Sequence, residues 1–162
     1  MGYHTDFTGE VKVSPPLNLD EQSFLSDLNE TRRMKRTKGP LFVAGGDNFS
    51  ALDVINGNDS DPTQPGLWCK WEPADNGHVI RWDGAEKFYD SEEWMRYLID
   101  NLLSEKGREY VEKHHSGDPR LNNFTFDHVV NGTIEADGEE DDDNWMLIVK
   151  NNVVTRMELP AF

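Results

Sequence analysis

The sequence predicts a single α+β domain, a small antiparallel or mixed sheet with two helices packed on one of its faces. Three observations carry this expectation. Alternating apolar and polar runs recur at both ends of the chain, two segments repeat apolar residues at the helical period, and 162 residues match the length of one domain. The element order is strand, helix, long loop, two strands, helix, strands, and a ferredoxin-like variant is among the topologies it allows.

Residues 3–13 place Phe7, Val11 and Val13 in partial alternation, which predicts a first strand with a bulge at Gly9. Pro15-Pro16 ends it, because proline fixes φ and lacks the amide donor. A helix over 20–33 follows from Phe24, Leu25 and Leu28, with Asn18 or Asp20 as its cap; an Asp20 cap would let Leu19 and Phe24 form a hydrophobic staple. Residues 37–66 are dense in Gly, Asn, Asp and Pro and form a long polar loop, in which only Leu41-Phe42-Val43 can pair as a strand. Such a loop is either functional or a tolerated surface insertion.

Leu67–Trp71 and His78–Trp82 flank a turn of Pro73, Asp75, Asn76 and Gly77 and predict a hairpin. Asp90 and Glu93 then have capping-box spacing ahead of Trp94, Met95, Leu98, Ile99, Leu102 and Leu103, a wide apolar stripe that predicts a helix over about 90–105. Residues 104–125 are polar, with two glycines and a proline, and predict a linker or a short turn. The β-type runs 126–130, 133–136, 145–150 and 153–159 predict a terminal meander, with Asn131-Gly132 and Asn151-Asn152 as its two-residue turns.

The core should be rich in aromatic rings, since the chain holds 5 Trp and 8 Phe. Cys69 is the one cysteine, so no internal disulfide forms and a thiolate zinc site lacks ligands. The N-terminus has no basic stretch followed by an apolar run, and no segment approaches a membrane span, so a cytoplasmic location without membrane contact is expected. Five Asn-x-Ser/Thr triplets then have no bearing on glycosylation.

Net charge is −15, from 31 acidic and 16 basic residues, which disfavours direct nucleic-acid binding unless the positive charge is concentrated. It partly is: Arg32, Arg33, Lys35, Arg36 and Lys38 fall within seven positions, while Asp137–Asp143 is an acid tract. At a helix C-terminus one or two of these cations would offset the dipole, but five exceed that need. The remainder suit phosphate or carboxylate recognition.

Trp68, Trp71, Trp82, Phe88, Tyr89 and Trp94 lie within 27 residues, and strand alternation forbids all of them from sharing one face. Some form core, while an outward Trp could stack on a base or ring. Asp83, Glu86 and Lys87 put two carboxylates beside a lysine at a strand exit, a pattern that serves either an Asx turn or acid–base chemistry. The five histidines show no metal-ligand spacing, Ala44-Gly45-Gly46-Asp47 lacks the ending of a phosphate-cradling loop, and the acid tract lacks calcium-loop spacing. No cofactor, metal or catalytic residue is therefore assigned. The acid tract is a solvated hairpin tip or an imitation of a phosphate backbone.

The motifs TRRMKR (31–36), QPGLWCKW (64–71) and WDGAEKFY (82–89), with Phe7-Thr8-Gly9-Glu10, Pro15-Pro16-Leu17 and Trp94, resemble those of a family of small uncharacterised proteins of bacteria and their phages. The resemblance implies a setting and no mechanism. The residues themselves predict a non-enzymatic accessory binding protein whose candidate ligand site comprises Arg32, Arg33, Lys35, Arg36, Trp68, Trp71, Trp82, Asp83, Glu86 and Lys87. The expected partner is an anionic small molecule, nucleotide-like, or a host protein. The alternatives are an acidic decoy that imitates nucleic acid, and an enzyme acting on a phosphorylated substrate.

Overall fold

A computed structural model describes residues 2–43 and 53–160. Residues 44–52, which include Ala44–Asp47 and part of the expected long loop, lie outside the described residues. The elements are β1 (Thr5–Ser14), α1 (Leu19–Glu30), β2 (Met34–Arg36), β3 (Val54–Ser60), β4 (Trp71–Ala74), β5 (Val79–Trp82), α2 (Ser91–Leu98), α3 (Gly107–Lys113), β6 (Val129–Gly138), β7 (Asn144–Lys150) and β8 (Val153–Glu158).

Six strands form one antiparallel sheet in the order β4-β5-β1-β6-β7-β8, and β2 pairs with β3 in a separate ribbon. The long first strand is the seam: β1 joins the β4–β5 hairpin on one side to the β6–β7–β8 meander on the other. Among the described residues three α-helices stand where two helices were expected, and this strand order lends no support to a ferredoxin-like pairing.

Strand alternation sends Phe7, Val11, Ile134, Ala136, Trp145 and Leu147 inward, where they meet Phe24, Leu28, Trp94, Met95 and Leu102 of the helices. The core is aromatic, as composition implies: Phe7, Trp71 and Phe88 pack edge to face with centroids 4.9–5.7 Å apart. Among the described residues, no helix is long and apolar enough to cross a membrane.

Several boundaries differ from expectation for local reasons. The cap of α1 is Asn18, in a reciprocal box with Glu21, so Leu19 is solvent-exposed and forms no staple. The helix stops at Glu30, where Thr31 turns extended and its hydroxyl donates to the Asp27 carbonyl. The basic segment is therefore not a helix end: Arg33 precedes β2, and Lys35 and Arg36 lie within it. Asp90 adopts a left-handed backbone, φ 58°, and makes no capping bond, so the expected box at α2 is absent. The apolar stripe continues past α2 through a π-helical turn, Ile99–Leu103.

Gly9 lies in unbroken register with Ile134 rather than in a bulge. Asn131-Gly132 is strand and not turn: a Cβ on Gly132 would lie 2.8 Å from the Glu10 carbonyl oxygen, so glycine serves the close approach of β6 to β1. Leu41-Phe42-Val43 forms no strand; the pairing partner within the loop is β3, in which residues 57–59 bulge out between the paired Asn56 and Ser60 and the Asn58 amide donates to Asn56 Oδ1. The predicted linker contains α3, which buries only Val111 among its apolar side chains and so carries no stripe to detect.

One buried ion pair ties the architecture together. His128, fully enclosed at the start of β6, contacts the Pro15 carbonyl oxygen through Nδ1 (2.7 Å) and the Glu21 carboxylate through Nε2 (2.7 Å). The carbonyl can only accept, so Nδ1 carries a proton, and the carboxylate favours a second on Nε2. Burial pulls the imidazole pKa down, but bonds from Glu21 and Pro15 outweigh it and the net shift is upward.

Candidate functional site

The basic segment is spent on the protein's own backbone. Arg33 is 2% exposed, and its guanidinium donates to the carbonyls of Thr31 (3.0 Å), Pro40 (2.9 Å) and Phe42 (2.6 Å). Burial brings it down to about 10. Arg36 is buried against Asp53 at 3.2 Å, and its guanidinium lies over the Phe42 ring. Arg32 is half-buried and donates to the Gly57 carbonyl (3.1 Å), whereas Lys35 is exposed. The three arginines fasten β2, β3 and the 37–43 segment together.

The tryptophans divide as alternation requires. Trp71 is 1% exposed and donates through Nε1 to the Ser91 carbonyl (2.8 Å), which makes it core. Trp82 packs against Phe7 and donates to the Ala85 carbonyl (3.1 Å). Trp68, which precedes β4, is half-buried and borders a surface cavity.

That cavity is about 270 Å³ and is lined by Leu67, Trp68, Lys70, Glu86, Lys87 and Tyr89. Two segments build it. The approach to β4 turns Cys69 and Trp71 into the core, which leaves Trp68 and Lys70 on the other side. The loop 83–90 leaves β5 through a turn in which Asp83 accepts from the Ala85 amide (2.8 Å) and from Asn29 Nδ2 (3.0 Å). Both Asp83 oxygens are thereby engaged in holding the turn. Phe88 then drops into the core and leaves Glu86, Lys87 and Tyr89 exposed.

The N-terminal segment straps this loop down. The Tyr3 amide donates to the Tyr89 hydroxyl (3.1 Å), and the Lys87 amide donates to His4 Nδ1 (3.2 Å). Gly2 passes so close that a Cβ there would lie 2.0 Å from the Tyr89 hydroxyl oxygen. The loop therefore has fixed anchors at its turn, at Phe88 and along the strap.

Lys70 reaches across the cavity and donates to the Glu86 and Lys87 carbonyls. An ammonium has three N–H donors, and these two acceptors leave one for a ligand. Desolvation lowers its pKa and Lys87 adds to the effect, while Asp83 and Glu86 oppose it. Together with Lys87 it gives two cationic groups beside the rings of Trp68 and Tyr89, an arrangement suited to a ring that stacks and an anion that pairs.

Of the ten residues expected from sequence, the cavity brings together Trp68, Glu86 and Lys87; Arg32, Arg33, Lys35, Arg36, Trp71, Trp82 and Asp83 do not line it. Leu67, Lys70 and Tyr89 are additional; Tyr89 belongs to the aromatic cluster of residues 68–94, Lys70 had its two-residue spacing from Trp68 as a signal, and Leu67 had none. No three His, Cys, Asp or Glu side chains converge among the described residues. Comparison with protein-family models, curated proteins and solved structures finds no match for the chain, so the site is read from its geometry.

Proposed function

We propose that the protein is a non-enzymatic accessory binding protein whose Trp68–Lys70–Lys87–Tyr89 cavity takes an anionic, ring-bearing small molecule of the nucleotide class. The observation that carries this reading is the meeting of two lysines and two aromatic side chains in one cavity. The Asp83 carboxylate holds a turn, which favours binding over acid–base chemistry on a phosphorylated substrate. We infer a setting in a bacterial cytoplasm, the host's if the protein is phage-encoded, a reading that rests on the motif resemblance and with which a buried free thiol at Cys69 accords.

Titration of Trp68 fluorescence with nucleoside mono-, di- and triphosphates tests this, with Trp68→Phe as the control that identifies the signal. Binding is expected to weaken about tenfold in Lys70→Met, the loss of one charge-assisted contact. Absence of binding to every nucleotide at about 1 mM, or affinity unchanged in Lys70→Met, would overturn the reading.

The decoy reading draws on one specific feature, the hairpin tip at Glu139–Asp142, where every side chain is exposed. It requires a host nucleic-acid-binding protein that is retained at low salt and released as salt rises. Retention that ignores salt would oppose it.

A further inference from the structure

We propose that His4 is a proton-operated latch on the cavity loop: its neutral ring holds Lys87 in place, and a second proton lets it go. The latch exists without ligand; its control of binding rests on the reading of the cavity as a nucleotide site.

Two hydrogen bonds fix the state of the ring. His4 Nδ1 accepts from the Lys87 amide (3.2 Å), so it carries no proton, and Nε2–H donates to Asp6 Oδ1 (2.9 Å). The imidazole is 28% exposed, within reach of protons from water. Once Nδ1 is protonated it faces the Lys87 N–H donor to donor, and that bond is lost.

The backbone at Lys87 has reason to move when this happens. It holds φ at 62°, in the left-handed region that is costly for a lysine, and such a conformation persists only while its surroundings impose it. His4 grips the Lys87 amide, Lys70 its carbonyl, and Gly2 lies against its side chain. Loss of the first grip lets Lys87 return toward negative φ, which draws the Glu86 and Lys87 carbonyls away from Lys70. Both lysines of the cavity are then displaced together.

The charges around the ring oppose each other. Asp6 of β1, Asp137 opposite it on β6, and Glu139, which accepts from the His4 amide (2.6 Å), favour the imidazolium. The Lys87 ammonium and, more directly, the Lys87 amide favour the neutral ring. Trp82 of β5, with its ring 6.1 Å away, carries no charge. A ligand that needs the loop in place adds to the neutral side, so binding expels the proton and acid expels the ligand.

Nitrogen-15 NMR of the ligand-free chain from about pH 8 to about pH 5 tests the latch. The His4 ring is expected as the Nε2–H tautomer at the upper end. As pH falls, the Lys87 amide should lose hydrogen-exchange protection at least about tenfold, corrected for intrinsic exchange, with the midpoint of the His4 titration. In His4→Asn the side-chain oxygen takes the place of Nδ1 and does not titrate, so protection should persist across the range. Asp6→Asn should move the midpoint to lower pH. A Lys87 amide indifferent to pH, or one whose change survives in His4→Asn, overturns the proposal. Adenosine monophosphate should lose affinity in acid more steeply in the wild-type chain than in His4→Asn, since protonation of its own phosphate is common to both. Equal loss overturns the control of binding; no affinity in either chain at any pH overturns the nucleotide reading, while the ligand-free spectra still decide the latch.

Discussion

Residues 32–36 and residues 67–89 both set cations near aromatic rings, yet the protein uses them differently. In the first region Arg33 meets three backbone carbonyls and Arg36 meets Asp53, all inside the fold. In the second, Lys70 and Lys87 line an open cavity beside Trp68 and Tyr89. The denser basic motif is therefore the more structural one. A guanidinium offers five donors in a fixed fork and can satisfy several carbonyls of a loop that lacks regular pairing; an ammonium on a flexible stem is better placed to meet a ligand.

The comparison breaks most visibly at Arg33. Arg33→Met should cost about 4 kcal/mol in urea unfolding, because three buried carbonyls lose their donor together. Stability retained in that variant would show the segment to be free for another purpose.

The next effect concerns a further buried basic group, His128. Its pKa is raised in the folded state, so folding takes up a proton, and the stabilisation is fully present below the unfolded value of 6.5. It declines as pH rises through the folded value. Thermal unfolding followed from pH 5 to about 9 should show that decline. His128→Asn should flatten it at the cost of lower stability at acid pH.

Lys70→Met should sharpen the contrast from the open side. It is expected to change unfolding free energy by about 0.5 kcal/mol or less while reducing nucleotide affinity about tenfold. Smallest of all is Lys35→Ala, on the exposed side of β2, which should leave both stability and binding unchanged within about 0.5 kcal/mol.

Elements with a period were legible in the sequence. The apolar stripe from Trp94 to Leu103 marked α2 and its continuation, and the alternation of β1, β7 and β8 marked the sheet. What escaped depends on contacts far along the chain. Asn131-Gly132 has the chemistry of a turn, but the β1 backbone opposite Gly132 explains the glycine. Gly107 begins α3 because a Cβ there would lie 2.6 Å from the Asn101 carbonyl oxygen, a constraint invisible locally. For the site, Trp68 and Lys87 were identifiable by type, whereas the separation of the arginines from them was not. That separation arises where the Arg33 amide donates to the Leu67 carbonyl (2.7 Å): the two segments touch through their backbones while the guanidinium is held by Thr31, Pro40 and Phe42.

The lone thiol next to the cavity gives the protein a built-in clock. Cys69 lies between Trp68 and Lys70, is fully enclosed, and is pushed up to about 12 by burial. A thiol in that state reacts with an alkylating reagent only when its segment opens to water. Its modification rate therefore counts openings of the 67–71 segment, and a ligand seated on Trp68 and Lys70 would slow that count in proportion to its occupancy, with no label added to the chain.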